Sequence, residues 1–440
     1  MKAIPSLVRG QGRFLPNLGP QIVAAVDVGS SKTACLIAEW SPGKKSVDID
    51  TRNGLKVLGF GQTVSRGVRA GSISDVAEAE RSIRIAVDAA ERMAKTTIKS
   101  VYVNISGGKP LTTMASAATR TETGVVSQGD VDAVVSSAVA HADIGKRQVL
   151  HLLPVAHVLD GVESMQAPIG MHGDVLAVDL AVVTMELAPL SNLRMAIERS
   201  HLQMSGMALT PYASARAILA QDELDLGTVL IDAGGSTTSV AIFRRGRLVA
   251  SAVVPIGGQH VTNDIAHGLS TTVVHAERLK TLFGTVLANG HDERELLAVP
   301  LLGERGVDTV QKVPKHVLTS IVVPRLDEIF EHVRVLLSAG DMAHFQANRV
   351  VITGGASQLH GMREFATARL GVPVRIGLPS GFSGLPELAR SGGFAAVAGL
   401  LVCASEPNHA FDIPHEAKLA IDRRQMTYAK RVGKWLAEAF

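Results

Sequence analysis

Residues 23–38 read VAAVDVGSSKTACLIA, and residues 228–243 read TVLIDAGGSTTSVAIF. Each is an apolar run, then Asp-x-Gly, a turn of small polar residues, and a second β-rich run. That order predicts a strand–turn–strand hairpin in each copy. Superposed, the copies pair Asp27 with Asp232, Gly29 with Gly234, Ser31 with Ser236 and Thr33 with Thr238. One Asp-x-Gly turn is commonly an ordinary β-turn; two matched copies indicate an internal duplication. Glycine lets an anion approach the backbone closely. Successive amides of such a turn form an anion-binding nest, helped by serine and threonine hydroxyls. The Asp closing each first strand suits the waters of a Mg²⁺ ion, which keeps several of them when bound.

The duplication extends outward. Gly54–Phe60 predicts a third strand in the first half, and Arg247–Val254 matches it in the second. A helix follows in the first half, with Ser74 expected as N-cap and Asp75 and Glu78 in its first turn. Val76, Ala79, Ile83, Ala86, Ala90 and Met93 form its apolar stripe. Val101–Ile105 predicts a buried strand, matched by Val350–Thr353 before Gly354 and Gly355. Two segments rich in small residues, 210–217 and 392–399, predict helices able to lie in close contact.

A chain of 440 residues exceeds one compact core, so two or more domains are expected. Hydrophobic residues make up 46% and aromatics only 4%, a composition of small apolar residues suited to helices lying on sheets. With 44 basic and 41 acidic residues the charge is too balanced for general nucleic-acid binding, and no nucleic acid is expected as partner. Cys35 and Cys403 each sit in apolar runs and read as buried thiols. The fifteen histidines show no metal-ligand spacing. Lys2, Arg9 and Arg13 are followed by no long apolar run, so residues 1–20 read as a disordered extension rather than a signal peptide.

The paired hairpins resemble the two phosphate loops of the actin, Hsp70 and sugar-kinase superfamily. The resemblance implies an α/β, duplicated actin-like (Hsp70-like) ATPase fold, with two halves around a nucleotide cleft. It implies ATP with Mg²⁺, cradled by Gly29, Ser30, Ser31, Lys32 and Thr33 and by Gly234, Gly235, Ser236 and Thr237, with Asp27 and Asp232 holding the metal through water. The turn at Gly354 and Gly355 is similar to the superfamily's adenosine loop.

Two stretches are more specific: PIGGQHVTNDIAHGLSTTVVHAERLKTLFG (255–284) and residues 149–173 resemble the FtsA family of bacterial cell-division proteins. In that family the residues matching Glu277 and Lys280 reach the ribose and adenine, and the turn matching Gly258 lies beside the phosphates; a solvated i,i+3 pair is the plainer reading of Glu277 and Lys280. Helix start signals place a helix from about residue 262. Residues 96–180, with a helix from Gln128 capped by Ser127, resemble the subdomain inserted in FtsA. The implied organisation is 1–20 extension; 21–95, 181–225 and 386–403 first core subdomain; 96–180 insert; 226–261 and 345–385 second core subdomain; 262–344 small subdomain; 404–424 linker; and 425–440 an amphipathic helix.

That last segment places Tyr428, Val432, Trp435, Leu436 and Phe440 on one helical face beside Lys430, Arg431 and Lys434, the pattern of an interfacial membrane anchor; docking on the domain itself is the alternative. No run of about 20 apolar residues is present to span a bilayer. The resemblance implies a peripheral protein on the cytoplasmic face of the inner membrane at the division septum. It implies polymerisation with itself, contact with the FtsZ C-terminal tail, and later division proteins bound through the insert. Pro324-Arg325 resembles the start of an FtsA helix beside the tail site, where a helix N-terminus and Arg325 would attract acidic residues; pairing of Arg325 with Glu328 is the alternative. In MreB and Hsp70 a Glu precedes the Pro of the first connecting helix; Thr210 stands there, before Pro211, which implies slow ATP hydrolysis at most. A PilM-type pilus-assembly adaptor and a small-molecule kinase of the same superfamily are the competing readings.

Overall fold

The computed structural model describes residues 20–41, 54–164, 166–287, 293–303, 310–339, 342 and 348–405. Two five-stranded sheets of identical topology organise it. The first runs, in spatial order, Gln203–Leu209, Ser100–Ile105, Gln21–Val28, Lys32–Trp40 and Leu55–Val64. The second runs Val374–Ile376, Val350–Thr353, Thr228–Ala233, Thr238–Arg244 and Arg247–Val254. In both, the hairpin and the third strand are antiparallel and the two remaining strands parallel. Val28 faces Thr33 and Ala233 faces Thr238, so the two hairpins close in equivalent register. The amide of Gly29 donates to the Lys32 carbonyl (3.1 Å), and that of Gly234 to the Thr237 carbonyl (2.9 Å).

The halves exchange helices. Thr210–Ile218 follows the first sheet and contacts Thr228–Ala233 and Thr238–Arg244 of the second. Ala395–Ser405 follows the second sheet and lies on the first. The two helices meet at Gly399, where a Cβ would stand 1.7 Å from the Ala213 carbonyl oxygen. The small residues read from the sequence therefore permit backbone-to-backbone contact at the crossing.

A third sheet, ordered Leu111–Arg120, Val175–Met185, Gln148–Leu159 and Val162–Ser164, is antiparallel throughout. The helix Gln128–His141 covers one face, and Ser127 caps it through a reciprocal box with Asp130. Its core is separate, built from residues such as Val134, Val139, Leu176 and Leu180. The boundaries expected at 96 and 180 fall elsewhere. Ser100–Ile105 pairs with Gln21–Val28 in the first sheet, and residues 181–185 complete a strand of the inserted one. Apolar runs mark strands without saying which sheet they join.

Smaller differences have local causes. Asp75, not Ser74, caps Val76–Ala94, because its Oδ1 accepts the amides of Ala77 (2.9 Å) and Glu78 (3.1 Å). Met93 is exposed and Val87 takes a buried place on that helix. The helix expected from 262 begins at Gly258, its first amides tied to the second hairpin turn: Gly258 to the Gly234 carbonyl (2.9 Å) and Gln259 to that of Gly235 (2.6 Å). Glycine's poor helix propensity hides that start from a sequence reading. Ala404 and Ser405, expected in the linker, end the crossing helix.

Candidate functional site

Between the two sheets lies a cavity of about 480 Å³. The first hairpin presents Asp27, Gly29, Ser30, Ser31 and Lys32 to it, and the second presents Asp232, Gly234, Gly235 and Thr237. Gly258, Glu277 and Lys280 form one wall, and Gly354 and Gly355 another. Ser236 joins the hairpins directly, its hydroxyl 2.5 Å from that of Ser30.

The two aspartates are buried and differently supported. Asp27 Oδ1 accepts from Asn104 Nδ2 (2.6 Å), which also donates to Thr210 Oγ1 (3.1 Å). Asp232 accepts from the Ser214 hydroxyl (2.5 Å). Burial pushes the Asp27 carboxyl up to about 6, with Lys32 and Asn104 opposing and the Asp232 charge adding to the rise. Burial also raises Asp232, against Ser214 and Lys32. The same burial lowers Lys32, against the attraction of both aspartates. Two carboxylates against one ammonium leave an excess of negative charge in a largely buried site. A hydrated divalent cation would favour the ionised form of both, and two carboxylates suit an ion that keeps most of its water. The residues present therefore fit Mg²⁺.

Lys280 is held at one end of the cavity. Its Nζ donates to the Gly258 carbonyl (3.0 Å), Thr262 Oγ1 (2.6 Å) and Glu277 Oε2 (2.7 Å), and the Thr262 hydroxyl reaches the same Glu277 oxygen (2.5 Å). Lys280 is 12% exposed and Glu277 50%, so this is no wholly solvated pair. Gly354 has φ +90, and a Cβ would meet the Ala233 carbonyl at 2.4 Å, so only glycine fits beneath the second hairpin.

Two expected residues take other places. Thr33 is fully buried; strand alternation turns it away from Lys32, and its hydroxyl lies 3.3 Å from that of Ser65. Its pair Thr238 bonds the Ile256 carbonyl (2.8 Å), so this matched position serves the framework of each half. Arg325 does not begin a helix. Lys315–Leu337 runs through Pro324, carried by buried Leu318 and Val322 ahead of it. The helix N-terminus expected at Pro324-Arg325 is therefore the interior of a longer helix. The Arg325 guanidinium meets both Asp264 oxygens (2.6 and 3.0 Å) and pairs with Glu328. Tyr428, Lys430, Arg431, Val432, Lys434, Trp435, Leu436 and Phe440 lie outside the described residues, among which no helix is long and apolar enough to cross a membrane.

The sequence reading missed Asn104, Ser106, Ser214, Thr262 and Phe394. Asn104 had a signal: a polar residue inside Val-Tyr-Val-Asn-Ile, paired in the duplication with Thr353. The others carry none without the fold.

Two sheets of equal topology, exchanged helices and a cleft closed by paired hairpins define an actin-like ATPase fold. The solved PilM-PilN type IV pilus biogenesis complex has it, with a TM-score of 0.60 at 15% identity over 89% of this chain and 100% of that one. So has MreB5 of Spiroplasma citri, solved bound to ADP, with a TM-score of 0.50 at 15% identity over 88% and 98%. A family model described as Cell division protein FtsA matches residues 229–399, and one described as SHS2 domain inserted in FTSA matches 109–184. Cell division protein FtsA of Agrobacterium fabrum is 38% identical over 439 residues, 98% of this chain and 99% of that protein. The chain belongs to the FtsA family of cell-division proteins. Identity along the whole length sets aside the pilus-adaptor and kinase readings.

Proposed function

We propose that this cell-division protein binds ATP with Mg²⁺ in the cleft and tethers FtsZ to the inner membrane. The observation that carries the nucleotide reading is the pair of buried carboxylates, Asp27 and Asp232, one closing the first strand of each hairpin. The turns beside them would take the phosphates through Ser30, Ser31, Gly234, Gly235 and Thr237, with Lys32 as counter-charge. Bound Mg²⁺ would neutralise phosphate charge. Glu277 and Lys280, already fixed by Thr262, would meet the ribose and adenine, with Gly354 and Gly355 beneath the ring. The ADP bound to MreB5, of the same fold, supports the assignment.

On the family's pattern, residues 425–440 would form the membrane helix, the residues between Ser405 and 425 the tether, and the inserted unit the contact for later division proteins. Self-association into filaments would multiply weak single anchors into firm attachment. Contact of the FtsZ tail at Arg325 rests on the resemblance alone, since Asp264 and Glu328 already compensate that charge. Isothermal titration calorimetry tests the nucleotide site: Asp232→Ala is expected to lose Mg²⁺-dependent ATP binding. Equal affinity in variant and wild type would move the site elsewhere.

A further inference from the structure

The ammonium of Lys32 rests on an aromatic ring. Its Nζ lies 3.7 Å from the Phe394 ring centroid, and among the described residues it makes no ion pair or hydrogen bond. Asp27 and Asp232 are near enough for their charges to act on it, yet neither holds it. The surroundings are shaped to this arrangement. Phe394 is 3% exposed and meets Phe60 edge-on, with centroids 5.4 Å apart. Phe60 belongs to Leu55–Val64, the strand paired with that of Lys32. At Gly393 a Cβ would come within 2.5 Å of the ammonium, so a larger residue before the ring would push the tip of Lys32 from this place.

We propose that Phe394 is a positioning residue for Lys32, holding its ammonium free to take the terminal phosphates of a nucleoside di- or triphosphate. An ammonium bridged to Asp27 or Asp232 would have to break that bridge before meeting phosphate. It would also occupy oxygens that the cation's waters need. A ring face attracts a cation without bridging it to a carboxylate, so the N–H donors that point away from the ring stay available for phosphate oxygens. The ring is anchored in the core of the first half, while its chain segment arrives from the second sheet. Lys32 is thereby placed only when both halves are assembled around the cleft. This inference rests on the nucleotide reading above.

The test is displacement of a fluorescent ATP analogue from the full chain by ATP, ADP and adenosine, with circular dichroism melts to confirm folding. Phe394→Leu should weaken ATP and ADP by about fivefold to thirtyfold, the range for loss of a partly desolvated cation–π contact, and leave adenosine unchanged. Phe394→Tyr, which keeps the ring face, should restore tight binding. In a Lys32→Met background Phe394→Leu should have no further effect. Equal losses for ATP and adenosine, or a full loss persisting without Lys32, would reduce Phe394 to core packing and overturn the proposal. Failure of the wild-type chain to bind ATP would instead overturn the nucleotide reading on which it stands.

Discussion

Ser30 of the first hairpin and Ser236 of the second touch across the cleft, their hydroxyl oxygens 2.5 Å apart. They stand 206 residues apart in the chain, so this contact forms only when the duplicated halves close on each other. Any ligand between the loops must reckon with it, and the consequences can be measured.

Asp27 gives a pH-dependent stability. Its carboxyl moves from 3.8 to about 6 on folding, because burial penalises the charge. The folded state therefore holds this proton more tightly than the unfolded state. Stability is reduced above the folded value, and the penalty fades as pH falls from about 6 towards 4. The full penalty is on the order of 3 kcal/mol at most. Asp27→Asn should melt higher than wild type at neutral pH without ligand, by a margin that shrinks in mild acid. The same variant should lose stabilisation by ATP with Mg²⁺. Melting curves at both pH values, with and without ligand, check this.

Turnover should be slow. Thr210 lines the cavity and its Oγ1 lies 2.7 Å from the Ser106 hydroxyl while accepting from Asn104. A threonine hydroxyl is no general base at neutral pH. Phosphate release is expected below about 1 s⁻¹, under the range ordinary for enzymes. Faster release would require a base elsewhere in the cleft.

Gly399 should resist substitution. A Cβ on this residue would stand 1.7 Å from the Ala213 carbonyl oxygen, so even alanine must push the crossing helices apart. Gly399→Ala is expected to cost about 1–3 kcal/mol of stability, as overpacked sites do. Urea unfolding measures this directly. ATP affinity should fall as well, since the same helices set the spacing of the halves.

Arg325→Glu should act on two levels. It would replace the bidentate pair with Asp264 by a repulsion among three carboxylates. If Arg325 also meets the FtsZ tail, fluorescence anisotropy of a tail peptide will show weaker binding to Arg325→Glu and to Arg325→Met alike. Unchanged affinity for Arg325→Met would place the tail elsewhere on the chain.

Trp435→Glu tests the membrane helix proposed for residues 425–440. Basic residues near an anionic surface contribute about 1 kcal/mol each, and the apolar face adds about 25 cal/mol for each Å² buried. A charge in the centre of that face should abolish co-sedimentation with anionic liposomes and spare ATP binding. Persistent sedimentation would assign membrane contact to another segment.

What the sequence by itself determined is local. Two hairpins were legible because strand alternation, glycine and a small polar turn act over a few neighbouring residues, and duplication doubled the signal. The carboxylates and the glycine turns could be named for the same reason; the Glu277–Lys280 pair was named only through the resemblance of residues 255–284 to the FtsA family. The tertiary structure alone decided what meets across distance. It turned Thr33 into the framework, gave Arg325 to Asp264, and set Ser100–Ile105 beside Gln21–Val28 rather than in the insert. It brought Asn104 to Asp27, 77 residues away, and Phe394 under Lys32. Apart from the polar Asn104 within its apolar strand, such partners have no mark in the chain, because burial and hydrogen bonding select them by position in space, and that position exists only once both sheets have formed and exchanged their helices.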